Sequence, residues 1–457
     1  MRRSLCCVFA ATLCSLCAAP EAGAAQHKHH HAKASRAKRT VTKELSRLLA
    51  AGQIDQTAYS ADRAIYSDAR AKARKLRGAR RLELSGVLRD LDDMAARGQL
   101  SASRAPALFL TLQRNVEYWT TRPLLANGAR VTFPPSQIVW QHYGGHGLQI
   151  QWLGTFGALN SFARSKRKNA RTDELLTEAL GLAGERAGGL AWEYLFPFDG
   201  QRPPWVSSLS QGTGLQAMAR AAVRLGRQAE VFGVLHRGLT IFETSPPDGV
   251  RIADGDGAHY LQYSGLPDLK ILNGFIQSLV GLYDYAQFTG DTDATARFQA
   301  GDTAARAEVP AYDTGAWSLY SRGSSSHESD LHYHELLRDF LQNLCSRTAV
   351  VQYCGAAEHF TAYLSIPPAI QVLPRTLKRD RIGRLRFKLS KISRVTVTVS
   401  GGTRRVDTAF SGTLARGTKS LRWRAPKRTG DYTVTVDATD LAGNFGSATG
   451  TVTVARR

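Results

Sequence analysis

Hydrophobic periodicity changes once along this chain, at Pro367, and no other feature of the sequence limits its folding choices as much. Before that proline the apolar residues recur every three or four positions, as in Leu45, Leu48 and Leu49, in Leu84, Leu88 and Leu91, and in Leu272, Phe275, Ile276, Leu279, Tyr283 and Ala286. That spacing lines one face of a helix. After it they alternate, as in Leu385, Phe387 and Leu389, then Val395, Val397 and Val399, with later strands around Leu421–Trp423 and Tyr432–Val436. The pattern predicts a helical part followed by an all-β part. A chain of 457 residues is long enough for each to bury its own core.

Further helices are expected over 173–187, over 214–225 and from Asp330 through Tyr333, Leu337, Phe340, Leu341 and Leu344. Gly290 suits the left-handed position that closes the 272–286 helix, and Asp291 or Thr292 caps the next one. Consecutive antiparallel helix pairs of this kind stack into an α/α barrel or toroid around a cleft. About seven short strands separated by Gly, Asn and Asp turns predict an immunoglobulin-like sandwich. The expected fold is therefore multidomain α + β. An N-terminal helical region (41–125) packs on its neighbour or forms a small bundle, an α/α toroid-like domain follows (126–365), and an immunoglobulin-like β-sandwich ends the chain (366–457).

Residues 1–25 read as a secretory signal peptide: Arg2 and Arg3, an apolar run from Leu5 to Ala19, then Ala22, Gly23, Ala24 and Ala25. The run is shorter than a bilayer span needs, so after cleavage the expected protein is secreted or at the cell surface, with no stable membrane span. Residues 26–40, QHKHHHAKASRAKRT, cannot form a core and are expected to be a disordered basic tail. Four cysteines lie in the leader. Cys345 and Cys354 remain, and in an oxidising compartment they read as one local disulfide. Sixty Lys and Arg against 38 Asp and Glu give a formal charge of +22, which draws polyanions to the surface. With an export signal and no recognisable nucleic-acid module, the expected partner is an acidic polysaccharide rather than nucleic acid. No nucleotide, flavin or zinc motif is present, so no cofactor and no catalytic metal are expected.

Five segments carry the chemistry: Trp205-Val-Ser-Ser-Leu-Ser-Gln211-Gly212; Tyr263 with Leu272-Asn273-Gly274-Phe275; Gly281-Leu-Tyr283-Asp284; Tyr312-Asp313-Thr314-Gly315; and Tyr333-His334. In order and spacing, from Trp205 to Thr348, they resemble the C-terminal catalytic domain of the D-glucuronyl C5-epimerases. A weaker match extends upstream through Gln137-Ile138 and Gln141-His142-Tyr143. The resemblance implies catalytic roles for Tyr263, Tyr320 and Tyr333, a uronate-containing polysaccharide as substrate, and a homodimer as assembly.

Chemistry read from the residue types agrees. Epimerising a uronic acid removes the proton at C5, beside the carboxylate, and returns one to the opposite face, which two phenols can do if one is held as phenolate by a cation. Arg322 is the expected cation. The enediolate formed on the way needs preorganised donors, for which Lys270, His334, Asn273, Gln211 and Gln262 are the candidates, with Tyr143 and His146 on loops that can line the cleft. Gln262 stands where vertebrate members of the family have Glu, and an amide cannot transfer a proton. Packing alone gives other readings: Tyr333, four before Leu337, as a core tyrosine; Tyr320, near Trp317 and Leu319, as a buried strand residue; Tyr283 and Tyr285 as structural. Two further functions compete with polysaccharide uronate C5-epimerase: a uronate lyase, which expels the O4 substituent after the same proton abstraction, and a non-catalytic glycan-binding or cell-wall protein.

Overall fold

The computed structural model describes residues 39–456. The expected signal peptide, nearly all of the basic tail, its histidine cluster and the four leader cysteines lie outside the described residues. Among the described residues no helix is long and apolar enough to cross a membrane.

Four helices open the fold, α1 (Val41–Ala50), α2 (Gln56–Lys75), α3 (Gly78–Ala96) and α4 (Ala105–Thr121). They are followed by β1 (Arg130–Val131), β2 (Trp140–Tyr143) and β3 (Gly147–Ile150), which form a small antiparallel sheet in that order. The opening helices share one continuous core with the rest of the helical part rather than forming a bundle of their own. Polar ties seal the join. Glu83 on α3 accepts the Gly145 and Gly147 amides at 2.8 and 3.0 Å, and the buried Asn115 on α4 bonds the backbone of Leu148 on β3 at 2.7 Å in both directions.

Next come α5 (Trp152–Arg164), α6 (Asn169–Gly181), the hairpin β4 (Gly184–Arg186) and β5 (Gly189–Ala191), α7 (Ser208–Leu225), α8 (Gln228–His236), the hairpin β6 (Arg251–Asp254) and β7 (Gly257–Tyr260), β8 (Leu269–Ile271), α9 (Leu272–Thr289), α10 (Thr292–Glu308), β9 (Leu319–Gly323), β10 (His327–Glu328), α11 (Leu331–Thr348) and α12 (Val351–Tyr363). Helices α5, α7, α9 and α11 are successive neighbours in an inner row, and α6, α8, α10 and α12 each pack on the inner helix before them. The local signals act where expected: Gly226 and Gly290 close α7 and α9 with φ of 73° and 70°, Asp291 caps α10, and Asp330 caps α11 by accepting the Tyr333 amide. The helix expected to reach residue 187 stops at Gly181, because Ala187 and Gly188 both take positive φ to turn the β4–β5 hairpin. Cys345 on α11 and Cys354 on α12 are disulfide-bonded.

Where α7 crosses α9, glycine meets glycine. A Cβ on Gly281 would stand 2.3 Å from the Gly212 backbone, and one on Gly212 would stand 2.8 Å from the Ser278 carbonyl oxygen. Three residues after Gly281, Asp284 binds Arg347 on α11 at 2.6 and 2.8 Å and accepts from Gln216 on α7, locking the three inner helices together.

The period-two segment forms β11 (Ile370–Leu373), β12 (Arg375–Lys378), β13 (Ile382–Leu389), β14 (Ser393–Gly401), β15 (Arg404–Leu414), β16 (Gly417–Arg424), β17 (Gly430–Asp440) and β18 (Phe445–Ala455). They make two sheets, β11-β13-β16 and β12-β18-β17-β14-β15. The inward residues, among them Leu385, Phe387, Val397, Trp423 and Val436, form a second core separate from the helical one. The sandwich meets the helical part through polar groups. Lys391, wholly buried, binds Asp440 at 2.6 Å, donates to the Tyr363 and Ile366 carbonyls, and lies over the Trp317 ring.

Candidate active site

One cleft of about 440 Å³ lies where the β1–β2 sheet, the segment before α7, the Gln262–Tyr263 segment and the N-terminal turns of α9 and α11 meet. Its aromatic wall is continuous. Tyr194 stacks on Trp205 at 4.2 Å and 12°, Phe198 lies 5.8 Å from Trp205 on the other side, and the Tyr263 ring meets Trp205 edge-on at 5.6 Å. Backbone bonds hold Tyr194 and Trp205 opposite each other at 2.8 and 3.1 Å. Tyr263 is fixed from behind, since Ser208 donates to the Leu261 carbonyl and Ser264 to that of Val206 at 3.0–3.1 Å.

Tyr333 reaches the cleft from the first turn of α11, with His332 and Leu336 beside it. Tyr320, on β9, packs against Tyr333 with ring centroids 4.7 Å apart and the rings tilted by 52°. Burial pushes the Tyr263 phenol up to about 12, opposed by the neighbouring Gln262 amide and reinforced by Tyr333 and Asp199. Burial raises Tyr320 as well, and the proximity of Tyr263 and Tyr333 adds to it. Both phenols are therefore neutral proton donors near pH 7. Gln262 Oε1 and Asn273 Oδ1 are buried and have no hydrogen-bond partner within the protein, although both residues line the cleft. Buried polar atoms are normally satisfied, so both are fit to bind a polar ligand there. A Cβ on Gly274 would come within 2.4 Å of Gln262 Oε1, so the glycine lets that amide lie against the start of α9.

The cation of the site is not the expected one. Arg322 stacks over the Tyr312 ring at 5.5 Å on the exposed end of β9 and does not line the cleft. Arg130 does. It is the cleft's one Arg or Lys among the described residues, its Nε donates to Gln141 Oε1 at 2.8 Å, and it lowers the phenol of neighbouring Tyr143, whose net shift is upward because burial dominates. Tyr143 itself lines the cleft, packed on Phe196 at 4.4 Å.

Other expected residues are committed elsewhere. His334 is wholly buried, bonded to Ser318 Oγ at 2.7 Å and the Phe360 carbonyl at 2.9 Å, and stacked on Trp317 at 3.7 Å; burial lowers its pKa to about 4. About 100° round the helix from Tyr333, His334 faces the core instead and does not line the cleft. Lys270 pairs with Asp254 and with Glu308 at 3.4 Å. His146 is held by Asp90 at 2.8 Å and ties its loop to α3. Gln211 is buried in α7 with neither amide atom bonded, and does not line the cleft. Tyr283 and Tyr285 bond to the Arg347 carbonyl and Asp291 within the helical core.

The stretch that carries the three tyrosines, residues 188–361, matches the family model described as D-glucuronyl C5-epimerase C-terminus. A D-glucuronyl C5-epimerase of Caenorhabditis elegans is 30% identical over 131 residues, covering 26% of this chain and 21% of the nematode protein. An uncharacterised protein of Methanocaldococcus jannaschii is 24% identical over 156 residues, 33% of this chain and 50% of that one. The chain thus spans half or less of these relatives' lengths. Among solved structures, a cellobiose 2-epimerase of Bacillus thermoamylovorans is 11% identical, with a TM-score of 0.39 over 57% of this chain and 72% of the other. Arg130 and Tyr143 lie outside the matched stretch, on strands contributed by the chain before it.

Proposed function

We propose that this protein is a polysaccharide uronate C5-epimerase, converting D-glucuronate to L-iduronate residues or performing a related inversion within a polymer. The observation that carries the reading is the convergence of Tyr263 and Tyr333 on one cleft, with Tyr320 packed against Tyr333 and Arg130 as the cleft's cation. On this reading Arg130 takes the substrate carboxylate, and the aromatic wall holds the sugar face. One phenol, as phenolate, accepts the C5 proton; the C–H electron pair passes into the carboxyl group as an enediolate; a neutral phenol then returns a proton to the other face. The substrate's own carboxyl group acidifies C5, so the scheme calls for no redox cofactor. The same reading makes the protein an exported one acting on an acidic glycan, with an immunoglobulin-like accessory module behind the catalytic part.

The test is incubation of the purified chain with heparosan and other polyuronates in deuterated water. Deuterium is expected at C5 without growth of the ultraviolet band of an unsaturated uronate. Tyr263→Phe is expected to slow exchange by about 10²-fold or more, the usual contribution of a positioned proton-transfer group. A growing ultraviolet band would make the protein a lyase, and exchange unaffected by Tyr263→Phe would remove the phenol mechanism.

A further inference from the structure

The two sheets of the C-terminal sandwich carry their cations differently. Between Ile370 and Arg457 there are 19 Lys and Arg against five Asp. Along β13, Leu385, Phe387 and Leu389 turn inward, and strand alternation leaves Arg384, Arg386 and Lys388 exposed in a row. On the neighbouring strand Arg422 stands opposite Arg384, and Arg424 opposite Ile382. The outer face of the five-stranded sheet differs. Its central strands present cross-strand pairs such as Thr398–Thr435 and Thr396–Asp437, with Arg394 at one end. Its other strand cations, Arg375, Lys378, Arg404 and Arg405, lie on the edge strands β12 and β15, so no row of cations runs along its centre.

The row also has a direction. Its Lys388 end runs into the turn where Glu328 accepts the Ile392 and Arg416 amides at 2.8 and 2.7 Å. Glu328 belongs to β10, which pairs with β9, the strand that carries Tyr320. A linear chain lying along β13 is therefore led to the hairpin beside the cleft.

We propose that the outer face of β13 and β16 is an accessory binding surface for an anionic polysaccharide, holding the polymer whose uronates enter the cleft. This extends the epimerase reading and rests on it for the identity of the polymer. Evenly repeated cations on a flat sheet suit a linear polyanion with evenly repeated charges. Single-stranded nucleic acid is the poorer fit, because the aromatic rings of these strands, Phe387 and Trp423, are buried and none is offered for base stacking.

The experiment compares the full chain with a variant carrying Arg384→Gln, Arg386→Gln and Lys388→Gln, and with a control that loses equal charge on α2 and just after it through Arg74→Gln, Lys75→Gln and Arg77→Gln. Affinity for fluorescently labelled heparosan is measured at several salt concentrations. Turnover is followed on long heparosan and on a tetrasaccharide. The sheet variant is expected to bind the polymer about tenfold more weakly, with a flatter salt dependence, as loss of three exposed charge contacts implies. Its KM should rise on the polymer alone, with kcat and tetrasaccharide turnover unchanged, while the control behaves as wild type. Equal weakening in both variants, no weakening in the sheet variant, or tighter binding of single-stranded DNA than of heparosan would overturn the proposal. Binding and turnover separate the two claims: a wild-type chain that holds heparosan through these side chains yet exchanges no C5 hydrogen sinks the epimerase reading and leaves this surface standing.

Discussion

Gln262→Glu is the most informative single change, because it alters the proton inventory of the cleft without altering its shape. On the proposed mechanism the base of the native chain is a phenolate. With Tyr263 at about 12, forming that phenolate at pH 7.5 costs on the order of 6 kcal/mol, at about 1.4 kcal/mol per pH unit. A carboxyl group at position 262 occupies the same volume, faces the same phenols and rests against Gly274 in the same way. Even if burial lifted it to about 7, it would be ionised half the time or more at that pH. It is a weaker base than phenolate by about five units, and if roughly half of that difference is felt in the transition state, the net gain is about two units, or on the order of 100-fold in rate. Its negative charge would also raise both phenols further, making Tyr263 a donor only. The assay is C5 deuterium exchange in heparosan under saturating polymer, with Gln262→Ala as the control for simple disruption. An unchanged or slower exchange in Gln262→Glu, with heparosan binding retained, would refute this account of the base.

Three further outcomes follow from the packing. Lys391→Met leaves the Asp440 carboxylate buried with no cation beside it, and should cost about 3–5 kcal/mol in denaturant unfolding; adding Asp440→Asn should recover part of that loss. Gly281→Ala drives a methyl into the Gly212 backbone, so α7 and α9 must separate, at a cost of about 3 kcal/mol read from thermal unfolding. His334 is held near 4 in the fold against 6.5 in the unfolded chain. The unfolded state therefore binds more protons between those values, and stability, complete above pH 6.5, should fall by about 3 kcal/mol as the pH drops to 4; His334→Gln should flatten that dependence.

Much of this architecture was legible because it is written in repeating surfaces. The change of period at Pro367 separates two cores that share no residue, and Asp291, Gly290 and Asp330 mark helix ends by the local bonds their own side chains or φ angles allow. Arg130 was invisible for the opposite reason. It sits on a two-residue strand, too short to show a period, and becomes significant only when β1 pairs with β2 and sets it opposite Gln141. Arg322, two residues from Tyr320, shares its side of β9 but lies one repeat further along, at the exposed end of the strand, where its guanidinium rests over Tyr312.

The tyrosine at 333 shows where pattern reading and function part company. Its position four before Leu337 describes a core residue, and Leu337 is buried, yet Tyr333 is 37% exposed. The difference arises at the helix end: in the first turn of α11 no preceding turn covers the ring, and the Tyr320 side chain on β9 supplies a partner from one side only. Several conspicuous motif residues carry no chemistry of their own. Gly212 and Gly281 allow two helices to touch, Asp284 ties three of them, and Gly274 makes room for one amide. A signature built from such residues marks the scaffold that brings distant phenols together, and the phenols must then be judged by whether they open onto a common cleft. Tyr263 and Tyr333 open onto one, and Tyr320 supports Tyr333 from behind.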